Sequence, residues 1–283
     1  MRNRKYLLLC ALTPVLAACS SAPEVKTTPT GPRLYVMDCG TIEVADASVF
    51  APGVNVGKRK VLTDSCYLVV HPRGTLVWDT GVPDALADKP EGLTRGVFTF
   101  KRDKTLVSQL AQVGYPPEKI DYVAFSHMHF DHVGNAHSFT RATIIMQKDE
   151  YDAAFGAAPE KYGFDPSAYS SIRSAPVKTL EGDHDLFDDG SVVIKRATGH
   201  TPGHQALYLK LAHAGNILLS GDLVHFTENW KDKRVPAFNF DQAQSHKTMD
   251  AVAQFLKENN ASLWIQHDRE QNAKIKHAPA YYE

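Results

Sequence analysis

The stretch AFSHMHFDHVGN, Ala124 to Asn135, places His127, His129, Asp131 and His132 within six residues, directly after an apolar run. That run, IDYVAFS from Ile120 to Ser126, has the β-branched and aromatic content of a strand. In an extended segment residues two apart project to the same side, so the strand end aims His127 and His129 at one ion. A turn at Phe130 into a helix swings Asp131 and His132 to the other side of the bend, within reach of a second ion. The spacing predicts half of a two-metal site at the end of a sheet strand.

The other half is expected at further strand ends. His204 lies in ATGHTPGHQALYL, Asp222 in ILLSGDLV and His267 in LWIQHD, each beside an apolar run. Imidazole with carboxylate suits zinc and similar divalent ions, and a carboxylate can bridge two of them. Any one of these histidines alone reads as a surface or capping residue. The set as a whole argues for a metal centre.

Working outward, strand-like runs at Arg33 to Met37, Val61 to Val70 and Thr75 to Trp78 read as an antiparallel meander, broken by turn formers such as HPRG. Leu106, Val107, Leu110 and Val113 fall at helical spacing, and Gly114 closes the pattern. The second half repeats the logic. ATIIMQ, SVVIKRA, QALYLKL and NILLSG read as strands, Met249, Val252, Ala253 and Leu256 mark a long helix, and SLWIQH is the last strand. This order suggests two sheets packed face to face with helices outside, although pattern alone leaves other α/β topologies open.

SHMHFDH, GHTPGH, SGD and IQHD resemble the motifs of the metallo-β-lactamase superfamily, and the resemblance runs from about Leu34 to the C-terminus. It implies an α+β fold, the αββα sandwich. It implies one metal on His127, His129 and His204, a second on Asp131, His132 and His267, and Asp222 bridging. In GHTPGH the second histidine is taken as the ligand and His200 as a turn residue. Asp79 in VWDTG matches a further motif and is expected to orient a ligand histidine.

SHMHFDHVGNAHSF, IIMQKDEYDAA, GHTPGHQALYL, VPAFNFDQAQS and HDREQ are similar, more closely, to the N-acyl homoserine lactonases, which open the lactone ring of bacterial quorum signals. The resemblance implies two divalent ions, expected to be zinc, sharing a hydroxide that attacks the lactone carbonyl. Asp131 is then the candidate to pass a proton to the departing ring oxygen. Three residues after the bridging Asp222, where many of these lactonases carry tyrosine, this chain has His225, a candidate donor to the developing oxyanion. In GLTRGVFTF, Phe98 matches a pocket-lining position for the acyl chain, while Phe100 reads as a core cover. Other hydrolases of the superfamily remain alternatives: phosphotriesterase-like enzymes, thioesterases and, less well matched because Asp222 is present, β-lactamases. A metal-binding lipoprotein without turnover is the alternative of a different class. Acyl length and dimerisation stay open.

The N-terminus, MRNRKYLLLCALTPVLAACS, has a basic start, an apolar core and small residues, the pattern of an export signal too short to span a membrane. Leu16-Ala17-Ala18-Cys19 resembles a bacterial lipobox. Residues 1–18 are expected to be removed, Cys19 to carry the lipid, and Ser20 to direct the protein to the outer membrane from the periplasmic side. Residues 19–32 read as a flexible tether and 33–283 as one domain. With 31 basic and 32 acidic residues there is no charge excess for nucleic acid, and contact with membrane is expected only through the anchor. The two remaining cysteines, Cys39 and Cys66, are expected to be free, buried thiols.

Overall fold

The computed structural model describes residues 30–283, so the expected export signal, Cys19 and most of the expected tether fall outside the described residues. The first sheet holds β1 (Arg33–Val44), β2 (Lys60–His71), β3 (Gly74–Trp78), β4 (Leu93–Arg95), β5 (Phe98–Lys101), β6 (Tyr122–Ala124), β7 (Thr143–Gln147) and β8 (Val177–Leu180), in the order β4-β5-β1-β2-β3-β6-β7-β8. β1, β2 and β3 form the expected antiparallel meander, and β3, β6, β7 and β8 run parallel. The second sheet holds β9 (His184–Asp185), β10 (Val192–Arg196), β11 (Gln205–Leu211), β12 (Gly215–Leu219) and β13 (Ala261–Trp264), ordered β13-β12-β11-β10-β9.

Both faces of the sheets are apolar because both are covered. Leu34, Val36, Val69, Leu76 and Trp78 meet Ile194, Leu207, Leu209 and Leu219 between the sheets. One residue out of phase, Tyr35, Met37, Leu68 and Val77 face the opposite way, toward helix α1 (Leu106–Gln112) and its neighbours. Short α2 (Phe130–Val133) follows the opening motif, and α3 (Lys148–Phe155), α4 (Pro166–Tyr169), α5 (Thr227–Lys231), α6 (Gln242–Glu258) and α7 (Arg269–Asn272) complete the set. On the far side of the second sheet, Ala206, Tyr208 and Leu218 pack under Met249 and Val252 of α6. The layers are therefore helix, sheet, sheet, helix, the expected αββα sandwich. α1 closes near Gly114 as expected, with that glycine at φ +86°, and Thr105 caps its start by accepting from the Ser108 amide.

Two expectations need correction. The strand predicted to reach Ser126 stops at Ala124, because the next backbone groups bond to the Asp79 side chain and to Gln205 at the start of β11 instead of continuing the ladder of the first sheet. Ser126 N donates to Asp79 Oδ1 at 2.6 Å, and the Phe125 carbonyl accepts from Gln205 Nε2 at 2.8 Å. Cys39 and Cys66, expected as free thiols, form a disulfide with Cα atoms 5.7 Å apart, a separation within the range a bridge spans. β1 and β2 pair antiparallel and the register shifts between Asp38 and Gly40, so the pairing brings distant cysteines together. Sequence separation carries no trace of that pairing.

Candidate metal centre

The strand ends meet along one rim of the sandwich. Asp79 follows β3, His127 and His129 follow β6, His200 and His204 precede β11, Asp222 follows β12 and His267 follows β13. Five imidazoles there are each anchored on one ring nitrogen and aim the other inward. His127 Nδ1 lies 3.0 Å from Ser126 Oγ, His129 Nε2 donates to the Tyr162 carbonyl at 2.9 Å, and His200 Nδ1 donates to Asn239 Oδ1 at 2.8 Å. His132 Nδ1 donates to Asp79 Oδ2 at 3.0 Å, and His267 Nδ1 to the Thr63 carbonyl at 2.8 Å. Such outer hydrogen bonds fix the tautomer and ring orientation of metal-binding histidines.

The inner atoms gather into two sets, each with its ligand atoms within 4.8 Å of one another: His127, His129, His200 and Asp222, and Asp131, His132 and His267. Asp222 faces both. Its Oδ1 is 3.3 Å from His132 Nε2 and 3.0 Å from His267 Nε2, while Oδ2 is 3.4 Å from His200 Nε2 and 3.8 Å from His127 Nε2. Asp131 is 3.9 Å from His132 Nε2 and 4.0 Å from His267 Nε2.

These residues fit a pair of divalent cations. A neutral imidazole has one N–H, and in His129 and His200 it is spent outward. Their inner lone pairs therefore face each other at 3.1 Å, with His127 Nε2 only 2.8 Å from His129 Nδ1. A cation satisfies that convergence of acceptors. Burial holds His127 and His200 well below the ordinary histidine range, which keeps them neutral and leaves an inner lone pair open to a metal. In the second set burial works against charge, but Asp222 with neighbouring carboxylates prevails, raising His132 well above its ordinary value and His267 to about 9. Protons and metal compete for those nitrogens, so acid weakens binding there. Asp222 Oδ1 is buried with no hydrogen-bond partner among the described residues.

One expected ligand is displaced by its neighbour. His204 was expected in the first set and His200 as a turn residue, but His200 is the one brought to the set. His204 sits against the start of β11, where Ala197 N donates to its carbonyl. Both of its ring nitrogens are engaged, Nδ1 donating to the Ala197 carbonyl at 2.8 Å and Nε2 accepting from the Asp222 amide at 2.9 Å. His200, at the tip of the loop, is free to project. Its loop is held down by the Phe240 and Asp241 amides, which donate to the carbonyls of His200 and Gly199.

Asp79 Oδ2 is the atom that accepts from His132 Nδ1. Asp79 is fully buried, has φ +56°, and accepts from Gln266 Nε2 at 2.9 Å as well as from Ser126 N. Gln266, Ser126 and Asn239 lie within the quoted motif stretches, but spacing gives them no role, and only the tertiary structure shows what they hold. Above the two sets opens a cavity of about 530 Å³. Phe98 and Phe100 both line it, together with Ile42, Phe50, Leu62, Phe130 and Phe238, and Asp131, Asp222, His225 and His267 form its polar end. Phe50, which sequence reasoning missed, is the hub of the aromatic wall, with ring centroids 5.9 Å from Phe98, 4.5 Å from His225 and 6.0 Å from Phe238. His225 Nε2 is 3.0 Å from Asp222 Oδ2, and its Nδ1 is buried without a hydrogen-bond partner among the described residues.

Comparison with known proteins agrees with this architecture. Residues 59–259 match the model of the metallo-beta-lactamase superfamily. An N-acyl homoserine lactonase of Bacillus thuringiensis is 30% identical over 256 residues, covering 88% of this chain and 98% of the relative. The AttM lactonase of Rhizobium radiobacter is 26% identical with the same coverage. A solved N-acyl homoserine lactone hydrolase with N-hexanoyl-L-homoserine bound at its catalytic metal centre superposes with a TM-score of 0.77 at 28% identity, covering 88% of this chain and 98% of that one. By sequence and by fold, this chain belongs to the metallo-β-lactamase superfamily and, within it, to the family of the N-acyl homoserine lactonases.

Proposed function

We propose that the protein hydrolyses the lactone ring of N-acyl homoserine lactones. The observation that carries this reading is a double set of metal-binding side chains at the polar end of a phenylalanine-lined cavity. A polar lactone head with an apolar acyl tail has that same division. The product bound in the superposed relative supports the reading.

His127, His129, His200 and Asp222 Oδ2 would hold one ion, and Asp131, His132, His267 and Asp222 Oδ1 the other. Two zinc-type ions bound there would supply Lewis acidity and make water a stronger nucleophile at neutral pH. The remaining work falls to the chain. Phe50, Phe98 and Phe238 exclude water around the acyl tail. As the oxygen of water bonds to the carbonyl carbon and the ring C–O bond breaks, Asp131 conveys a proton to the departing ring oxygen. His225, with Nε2 3.0 Å from Asp222 Oδ2 at the polar end of the cavity, would stabilise an oxygen that gains charge by turning an N–H toward it. The product is the acyl homoserine, with the amide intact.

We also assign the protein to the periplasmic face of the outer membrane, anchored through Cys19. The lipobox-like LAAC supports this. So does the Cys39–Cys66 disulfide, since such bonds persist in oxidising compartments. The catalytic reading is tested by incubating zinc-loaded protein with acyl homoserine lactones and following product mass.

A further inference from the structure

Glu150, on the first turn of α3, has only 1% of its surface exposed, and no cation pairs with it among the described residues. Its two carboxylate oxygens are spent on two different loops. Oε1 accepts from the Met128 amide at 2.9 Å, and Met128 is the residue between His127 and His129. Oε2 accepts from Thr201 Oγ1 and from the Gly203 amide, each at 2.8 Å, and these residues follow His200. The fit around it is tight: a Cβ on Gly203 would come within 2.3 Å of Glu150 N and 2.6 Å of its Cβ. Burial pushes the carboxyl up to about 7, against the pull of its three donors. A buried carboxylate with no cation costs stability unless it is fully hydrogen-bonded, so its presence here needs a reason.

We propose that Glu150 is a positioning residue that clamps the His127/His129 loop to the His200 loop and thereby sets the metal affinity of that ligand set alone. The second set hangs from α2, β13 and Asp79, none of which Glu150 bonds. The clamp acts at one remove from the ions, through backbone, so it alters where ligands stand without touching substrate. This inference rests on the two-metal reading given above.

The test is metal release from zinc-loaded protein into a chromophoric chelator, with the absorption spectrum of cobalt-loaded protein as a second readout. Wild type should release two ions in two steps, and His200→Ala identifies the step belonging to the first set. Glu150→Gln turns an N–H toward one of the three donors and should weaken that step by roughly 10-fold or more, the usual scale for partners behind a ligand. The other step should stay in place, and the cobalt bands of the first set should shift. Thr201→Val, which deletes one donor and keeps the side-chain shape, should move the same step by less. It decides the matter if the Gln variant does not fold. Wild-type release and spectra in both variants, or equal weakening of both steps, would overturn the clamp. A wild-type protein that binds no divalent metal would instead overturn the two-metal reading.

Discussion

His200 and His204 are four residues apart in one loop and have opposite roles. His200 keeps an inner nitrogen free for a metal, whereas His204 uses both nitrogens to hold the Ala197 carbonyl and the Asp222 amide. Elemental analysis should therefore find about one ion fewer per chain in His200→Ala. His204→Gln, which can still accept from the Asp222 amide, should keep both ions. The reverse outcome would exchange the two assignments. His225 admits a separate test. If its Nε2–H stabilises the developing oxyanion, His225→Ala should lower turnover by roughly 10²-fold with metal content unchanged. Equal rates would remove His225 from the chemistry.

At the scale of elements, what the sequence shows depends on whether the information is local. The HxHxDH spacing and the apolar strand before it are local, and they place His127, His129, Asp131 and His132 at a strand end without any tertiary knowledge. The alternation of Leu34 and Val36 with Tyr35 and Met37 likewise foretells a sheet covered on both faces. Ladder register is not local. Which histidine of GHTPGH is caught against β11 depends on the Ala197 to His204 pairing, and the disulfide depends on the β1 to β2 pairing. Glu150 was invisible for the same reason, since its partners lie on two loops distant in sequence. The disulfide closes a loop of 27 residues in sequence separation, tying together two central strands of the larger sheet. Replacing both cysteines with alanine should lower stability to denaturant by about 2–4 kcal/mol, read as a lower midpoint with a similar slope. No loss would mean that the β1–β2 pairing needs no covalent support.

For the whole molecule, the sandwich serves as a scaffold whose strand ends supply ligands from separate segments, so that no single element holds a complete site. The proposed anchor at Cys19 has its own test. Cys19→Ser should move the protein from the membrane fraction to the soluble one. Identical partition of mutant and wild type would contradict anchoring there. The central claim is ring opening, and its most direct measurement is mass spectrometry of acyl homoserine lactones of several chain lengths after exposure to the zinc-loaded protein. The account predicts a product heavier by one water that re-closes in acid, lost when a chelator strips the metal and regained when zinc is returned. Unchanged lactone in the presence of protein carrying both ions, or cleavage at the amide, would contradict it.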